Sequence, residues 1–398
     1  MLDSASLGGL SRALPGWTRK TGQDRLGNAP QGVLVDPGLA EGLDAAVNCQ
    51  QQAGELPRTV RADMCARSVS GVVASRRAED SASGASRHFA ESRTPMTEPR
   101  NAPTADLSGR FALVTGAADG LGLATAAELG RAGANVLVHG RTRPKAEQAM
   151  RLLSGRPGLE AARFVAVHAE LSSVDELRSL SSQVGELAPD GLDVLVNNAG
   201  AQFSERRLTS DGIEMTTAVV HLATAALCRL LLDQLSQAAR RARVPAQVVN
   251  VTSINERIGK PVNDWSYAAG YGQVRAYSNA KLMALAYTYA MARQIDETQV
   301  TFNAADPGAV FTDFGRKAGG SAGRMDRALR PVAPLLIAGP EKAARRSVLR
   351  ALAPDAAGRS GGFYARGALR ASSKRSNDPA VIAEVQAVTE ERLATLGF

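Results

Sequence analysis

Cysteine is scarce in this chain of 398 residues. Its three cysteines, Cys49, Cys65 and Cys228, are odd in number and far apart, so the sequence suggests neither a disulfide framework nor a zinc site. We therefore expect a protein of a reducing compartment and place it in the cytoplasm.

Long apolar runs are missing as well. The longest apolar stretches, such as the one from Val219 to Leu232, are interrupted by His221 and Arg229 well short of the length that spans a bilayer. The opening Met1-Leu-Asp is not followed by the charged and apolar regions of a secretory signal. The sequence thus predicts a soluble protein without a transmembrane segment.

No block of basic residues with interleaved aromatics is present. The 47 Lys and Arg residues exceed the 39 Asp and Glu residues and give a net charge of +8, but they are spread along the chain with acids between them. Proteins that bind single-stranded nucleic acid combine basic grooves with aromatic stacking platforms. We therefore expect no specific nucleic-acid partner.

The chain divides near residue 105. Residues 1–105 are rich in Ser, Gly, Ala and Arg and show no sustained hydrophobic periodicity, which predicts a disordered extension. A short polar lead follows Met96 and runs directly into the first predicted strand, so a translation start near Met96 stays an alternative to a flexible tail that binds a partner. We predict one domain over residues 106–398.

Strands alternate with helices throughout that domain. Strands are predicted at 110–115, 135–140, 163–168, 192–197, 246–252 and 299–304, with helices at 122–133, 144–153 and 174–187 and two long helices holding 213–235 and 277–293. Regular alternation of this kind is typical of an α/β protein with helices on both faces of a parallel sheet. We predict a single Rossmann-type, doubly wound parallel sheet.

A glycine-rich turn joins the first strand to the first helix in Thr115-Gly-Ala-Ala-Asp-Gly-Leu-Gly122. Gly116, Gly120 and Gly122, with Leu121 between them, are candidates to let the backbone approach a pyrophosphate at a helix N-terminus. A tight turn without a ligand is the alternative. Asp119 would face the phosphates unless its side chain caps the helix.

The end of the second strand indicates which dinucleotide is preferred. Enzymes that use NAD place an acid there, whereas this chain has Gly140 followed by Arg141. A guanidinium suits a 2′-phosphate through charge-assisted, bidentate hydrogen bonds. We therefore favour NADP over NAD as the cofactor.

Further motifs follow in a fixed order. They are Asn197-Asn-Ala-Gly200, Asp211-Gly-Ile-Glu-Met215 with His221-Leu222, Ala276-Tyr-Ser-Asn-Ala-Lys281, Asp306-Pro-Gly-Ala-Val-Phe-Thr312 and Ser360-Gly-Gly-Phe-Tyr364. With them the chain resembles the short-chain dehydrogenase/reductase family, and within it the retinol-dehydrogenase-like branch, over residues 107–370. The resemblance implies an oxidoreductase that moves a hydride between NADP(H) and a carbonyl or alcohol substrate.

The resemblance also assigns roles to residues. Tyr277 would be the general acid or base, Lys281 would lower the pKa of Tyr277 and hold the nicotinamide ribose, and Ser253 would orient the substrate oxygen. An ammonium one helical turn from a phenol favours the phenolate, which agrees with this assignment. The remaining cofactor contacts implied are those of Glu170, Leu171, Asn198, Ala199, Gly200, Pro307, Gly308, Val310 and Thr312.

The interval of 24 residues from Ser253 to Tyr277 is longer than a loop requires and carries Trp265, Tyr267 and Tyr271. In the retinol-dehydrogenase-like branch a similar insertion borders the substrate pocket, which implies a bulky, apolar substrate. Packing of these aromatics onto the domain is the alternative. The resemblance further implies a homodimer or homotetramer that pairs through the two long helices.

One position departs from the family. Val220 stands where the resemblance expects the Asn that positions a water next to the catalytic lysine, and valine has neither donor nor acceptor. We expect an active enzyme with a slower proton supply. A catalytically weakened protein that binds NADP as a scaffold or redox sensor stays the alternative.

Overall fold

The computed structural model describes residues 105–308 and 339–398. These residues belong to one unit, Thr94–Phe398. Nearly all of the predicted extension 1–105 lies outside the described residues, and so do Val310 and Thr312.

Within the described residues, eight strands form one sheet in the order β3-β2-β1-β4-β5-β6-β7-β8. Neighbouring strands run parallel except β7 and β8, which are antiparallel. The strands are β1 Phe111–Val114, β2 Asn135–Gly140, β3 Arg163–His168, β4 Val194–Asn197, β5 Ala246–Val251, β6 Val300–Asp306, β7 Phe363–Ala365 and β8 Ala368–Arg370. The predicted doubly wound α/β fold is confirmed.

The central strands are buried on both faces because their side chains alternate between two cores. In β2, Leu137 packs into one core while Val136 and Val138 pack into the other. Burial on both faces explains why these strands read as nearly continuous apolar runs in the sequence. The strand order reverses where β1 lies between β2 and β4, and in such sheets ligands bind outside the carboxyl ends of the strands at this point.

Helices cover both faces of the sheet. The helices of the described residues are α1 Gly120–Arg131, α2 Arg143–Ser154, α3 Val174–Leu187, α4 Met215–Leu230, α5 Leu232–Ala242, α6 Gln273–Gln294, α7 Pro340–Arg346, α8 Val348–Ala351 and α9 Pro379–Thr395, with 3₁₀ helices at Ile254–Ile258 and Pro354–Ala356. Side-chain caps begin three of the α-helices: Ser173 accepts from the Glu176 amide before α3, Glu214 accepts from the Thr216 and Thr217 amides before α4, and Asp378 accepts from the Ala380 amide before α9.

The predicted long helix 213–235 is broken. It begins at Met215, contains a π-helical segment at Ala218–Leu222, and ends at Leu230, where a bend of 50° separates α4 from α5. Across residues 105–308 and 339–398, no single helix has the length and apolar character to cross a bilayer, although α4 and α5 meet that test when taken together.

The C-terminal helix α9 packs against the second long helix, α6. The Tyr287 hydroxyl of α6 donates to Glu390 Oε1 over 2.7 Å, and His221 Nε2 of α4 lies 2.9 Å from Thr389 Oγ1. Every residue of α6 from Ala276 to Met291 is buried. The C-terminal helix thus contacts both helices through which subunits were expected to pair, and the homodimer or homotetramer stays a prediction.

Candidate active site

One cleft of about 860 Å³ opens at the carboxyl ends of the central strands. It lies at the point where the strand order reverses, and the predicted site residues that the structure describes all line it. They are Gly116, Asp119, Gly120, Leu121, Gly122, Arg141, Glu170, Leu171, Asn198, Ala199, Gly200, Ser253, Tyr277, Lys281, Pro307 and Gly308.

The glycines of the turn after β1 are required by the packing of the turn itself. Gly116 and Gly120 have positive φ angles of 63° and 55°, which glycine adopts readily. A Cβ on Gly122 would lie 2.2 Å from the Gly116 carbonyl oxygen, and a Cβ on Gly116 would lie 2.9 Å from Ala199 Cα. At Gly116 and Gly122 the missing Cβ atoms therefore make room for the protein's own backbone, not only for a ligand as the sequence suggested.

Asn198 ties the end of β4 to this turn. Its Nδ2 donates to the Thr115 carbonyl oxygen over 2.9 Å, and Thr115 Oγ1 accepts from the Asn198 and Ala199 amides over 3.0 Å each. The side chain of this predicted cofactor residue is thus engaged within the protein, and it shapes the floor of the cleft.

His139 is a site residue that the sequence analysis missed. The Gly116 amide donates to His139 Nδ1 over 3.0 Å, so Nε2 carries the proton and donates to the Ala169 carbonyl oxygen over 3.0 Å. Burial lowers the pKa of His139 to about 4, which keeps the ring neutral and suited to both bonds. A polar residue within the apolar run of β2 was the available signal.

Asp119 occupies the position before the first turn of α1, with extended backbone at φ −154°. Its side chain makes no capping hydrogen bond to the helix, so the alternative in which it serves as a helix cap is wrong. The carboxylate lines the cleft beside the glycine turn.

Arg141 and Glu170 lie next to each other at the rim of the cleft. Arg141 Nε is 3.7 Å from Glu170 Oε2, and the two side chains are 61% and 32% exposed. Glu170 Oε1 also accepts from the Ser172 hydroxyl over 3.0 Å. Lys145, which the sequence analysis did not single out, lines the same cleft and adds a second cation.

Three elements position the predicted catalytic residues. Ser253 follows β5 and precedes the 3₁₀ helix Ile254–Ile258, while Tyr277 and Lys281 lie one turn apart on α6. Ser253, Tyr277 and Lys281 all line the same cleft. Lys281 Nζ donates to the Val251 carbonyl oxygen over 2.6 Å and lies 5.7 Å from the centre of the Tyr277 ring.

Comparison with known proteins identifies the family. The model of the short chain dehydrogenase family matches residues 110–321, more than half of the chain. The chain belongs to this family. Human retinol dehydrogenase 13 is 32% identical over 263 residues, covering 65% of this chain and 77% of the relative. Mouse retinol dehydrogenase 14 is 33% identical over 272 residues, covering 65% and 78%.

Solved structures agree with this family. An uncharacterized protein from Mycobacterium paratuberculosis is 26% identical with a TM-score of 0.56, covering 73% of this chain and 95% of that one. RhlG of Pseudomonas aeruginosa, solved as a complex with NADP, is 26% identical with a TM-score of 0.52, covering 66% and 96%. The chain is a short-chain dehydrogenase of the retinol-dehydrogenase-like branch, an oxidoreductase of alcohol and carbonyl groups.

The protonation of Tyr277 and Lys281 in this dehydrogenase differs from the expectation. Burial raises the pKa of Tyr277 to about 12, Asp306 raises it further, and the hydrogen bond from Ser253 opposes both. Burial lowers the pKa of Lys281 to about 8, against the attraction of Asp306. Burial is the largest cause acting on Tyr277, and it favours the neutral phenol, which can donate a proton.

Val220 lies against the phenol of Tyr277. Its side chain is 1% exposed and packs with Tyr277 and Ala280. Thr224 Oγ1 donates to the Val220 carbonyl oxygen over 3.0 Å. The dehydrogenase therefore presents an apolar surface to the Tyr277 ring where the resemblance expected an amide.

The three aromatic residues of the insertion between Ser253 and Tyr277 make contacts within the protein. Trp265 is stacked on His221 with ring centres 5.5 Å apart, Tyr267 accepts from Asn279 Nδ2 over 3.0 Å, and the Tyr271 hydroxyl donates to a backbone carbonyl over 2.7 Å. None of the three is among the described residues that line the cleft. The alternative in which they pack the insertion onto the domain is the one the structure supports.

Further residues that were not in the predicted catalytic and cofactor sets line the cleft. Cleft-lining residues absent from the predicted catalytic and cofactor sets include Gln202, Phe203, Ser204, Arg207, Met215, Val219 and Asn255. They come from the segment after β4, from α4 and from the 3₁₀ helix after Ser253. In the described ranges, no group of three or more His, Cys, Asp or Glu residues could hold a metal ion.

Proposed function

We propose that this dehydrogenase transfers a hydride between NADP(H) and a carbonyl or alcohol substrate, with Tyr277 as the proton donor in the reductive direction. The observation that carries the proposal is that Ser253, Tyr277 and Lys281 line the same cleft as the glycine turn. NADP(H), when bound, supplies or takes up the hydride.

The residues of the cleft suit this cofactor. The glycine turn and the N-terminus of α1 offer backbone amides to a pyrophosphate, and Lys281 is the candidate to hold a ribose. A Cβ on Gly140 would lie 2.6 Å from the Ala146 amide nitrogen, so α2 leaves no space there for the acid that NAD-preferring enzymes use. Arg141 and Lys145 instead supply positive charge for a 2′-phosphate.

The three catalytic residues divide the work on the substrate. Ser253 orients the substrate oxygen through its hydroxyl, and Tyr277 gives its proton to that oxygen as the carbonyl carbon gains the hydride. In the reverse direction Tyr277 receives the proton. The raised pKa of Tyr277 suits the donor role, because the phenol stays protonated at neutral pH.

We also propose an apolar substrate. Phe203, Met215 and Val219 supply apolar wall in the cleft, and Val219 precedes the Val220 that contacts Tyr277. Two relatives are named for apolar alcohols: human retinol dehydrogenase 13, and human polyprenol dehydrogenase, which is 31% identical over 258 residues. The cytoplasmic location predicted from the sequence stays part of the proposal.

The test is NADPH oxidation with a panel of apolar aldehydes and ketones. The loss of absorbance of the reduced nicotinamide measures the reaction. We expect turnover with NADPH and weaker binding of NADH. Arg141→Ala should weaken NADPH binding about 10- to 100-fold more than NADH binding, the range expected for a lost charge-assisted bond. Arg143→Ala, which removes a nearby cation that does not line the cleft, is the matched control. Equal losses for both cofactors would refute the phosphate assignment.

Val220 supports the second candidate function, a protein that binds NADP without efficient turnover. The apolar contact of Val220 with Tyr277 supplies no group that could relay protons. Tight NADPH binding with no turnover across the whole panel is the result that would favour this function.

A further inference from the structure

We propose that Ser372, Ser373, Arg375 and Ser376 act as a clamp that holds Ser253 beside Tyr277, and that Glu256 and Ser373 are positioning residues of the active site. This inference rests on the proposed function. The clamp lies more than 90 residues after Tyr277 in the sequence and makes hydrogen bonds to both elements that carry catalytic side chains.

The first link is a buried carboxylate. Glu256 is 1% exposed and lies in the 3₁₀ helix that begins directly after Ser253. Its Oε1 accepts from the Ser373 amide over 3.1 Å and its Oε2 accepts from Ser373 Oγ over 2.6 Å. Burying a carboxylate is costly unless hydrogen bonds satisfy it, so these two donors fix where Glu256 can lie.

Glu256 is joined directly to the catalytic serine. The Glu256 amide donates to the Ser253 carbonyl oxygen over 3.0 Å. At the other end of the same 3₁₀ helix, Arg375 Nη1 donates to the Gly259 carbonyl oxygen over 2.6 Å. The clamp therefore holds this short helix at its middle residue and at its C-terminal end.

The second link reaches the helix of Tyr277. The Tyr289 hydroxyl of α6 donates to Ser372 Oγ over 2.7 Å, and Ser372 Oγ lies 2.8 Å from Ser376 Oγ. Ser376 Oγ in turn lies 3.1 Å from Ser373 Oγ, the donor to Glu256. A chain of hydroxyl groups thus connects α6 to the 3₁₀ helix.

Such a clamp serves catalysis because the 3₁₀ helix cannot fix its own position. Helices of this kind are short and have poor hydrogen-bond geometry. The Asn255 amide reaches Ser253 Oγ only over 3.4 Å, a long hydrogen bond. The distance between Ser253 and Tyr277 therefore depends on bonds made from outside the helix, and small displacements of catalytic groups have large effects on rate.

The clamp acts on turnover and not on cofactor binding. Among the described residues that line the cleft, none belongs to 372–376, and Glu256 is not one of them either. Loss of the clamp should lower kcat while the affinity for NADPH stays near its original value.

The experiment compares Ser373→Ala and Glu256→Gln with wild type in the full chain. We expect kcat to fall about tenfold in each, with the dissociation constant of NADPH changed less than about twofold. Amide hydrogen exchange of residues 254–260 should become faster. Ser373→Thr, which keeps the hydroxyl, should restore kcat, and Lys374→Ala, which changes an exposed neighbour, should behave as wild type.

Urea unfolding of each variant gives the folded fraction for which kcat is corrected. Unchanged exchange at residues 254–260 in Ser373→Ala would overturn the clamp, and so would a corrected kcat equal to that of wild type. If the wild-type protein itself shows no turnover, the proposed function fails, and the exchange measurement alone then decides whether the clamp exists.

Discussion

Replacing Gly259 with alanine tests how closely the element of Ser253 must approach the helix of Tyr277. Gly259 ends the 3₁₀ helix with φ −69°, an angle that alanine also adopts, so the effect of the change is one of space. A Cβ at this position would lie 2.3 Å from the Ser278 carbonyl oxygen and 2.7 Å from Leu282 Cβ. The Ser278 oxygen belongs to the α6 backbone and cannot rotate away.

The size of the effect follows from these distances. Close carbon-to-carbonyl-oxygen contacts are about 3.3–3.6 Å, so the 3₁₀ helix and α6 must separate by roughly 1 Å. Overpacking of this kind lowers the free energy of unfolding by about 1–3 kcal/mol, which leaves a protein of ordinary stability folded at 25 °C. A displacement of about 1 Å at catalytic groups lowers the rate by up to about 100-fold.

We therefore expect Gly259→Ala to lower turnover per folded molecule about 10- to 100-fold. Steady-state NADPH oxidation gives the rate, and urea unfolding gives the folded fraction. The control is Gly155→Ala, since Gly155 has φ −89° and its Cβ would lie 3.4 Å from the nearest backbone oxygen, an ordinary distance. Wild-type turnover in folded Gly259→Ala protein would refute the reasoning.

Three further predictions concern other parts of the site. Val220→Asn should lower the free energy of unfolding by about 1–3 kcal/mol by burying an amide, and should raise turnover per folded molecule; no gain would show that proton relay is not limiting. His139→Leu removes the hydrogen-bond partner of the Gly116 amide and of the Ala169 carbonyl oxygen. It should lower the free energy of unfolding by about 2 kcal/mol, as measured in urea. Burial lowers the pKa of Lys281 to about 8 in the folded protein, against 10.5 for the ordinary side chain. Between these pH values the unfolded chain keeps the Lys281 proton that the folded protein has lost, so the contribution of Lys281 to the free energy of unfolding should rise as the pH rises from 8 to 10.5. Lys281→Met should lose that component, and an unchanged pH dependence in the variant would contradict the assignment.

The sequence predicted the central sheet well because its strands are short apolar runs buried on both faces. The two strands that it did not predict, β7 and β8, have three residues each, and β7 pairs with β6, about 60 residues earlier in the chain. Helix ends differed by about two residues, as at α1, which begins at Gly120 and not at 122.

The cleft residues were predictable because parallel strands bring their carboxyl ends to one edge of the sheet. What could not be predicted depends on contacts between distant segments. The bond of His139 to the glycine turn spans 23 residues, and the bonds of Glu256 to Ser373 span 117. Burial, which the sequence does not quantify, raises the pKa of Tyr277, whereas the sequence led us to expect a lowered value.

The most direct test of the account is the comparison of Tyr277→Phe with wild type in NADPH binding and in turnover. Phenylalanine keeps the ring that packs with Val220 and removes the one proton that the substrate oxygen would receive. We predict that turnover falls by about 100- to 10,000-fold, the usual contribution of a general acid, while NADPH binds as before. Turnover at the wild-type level in this variant would contradict the central claim.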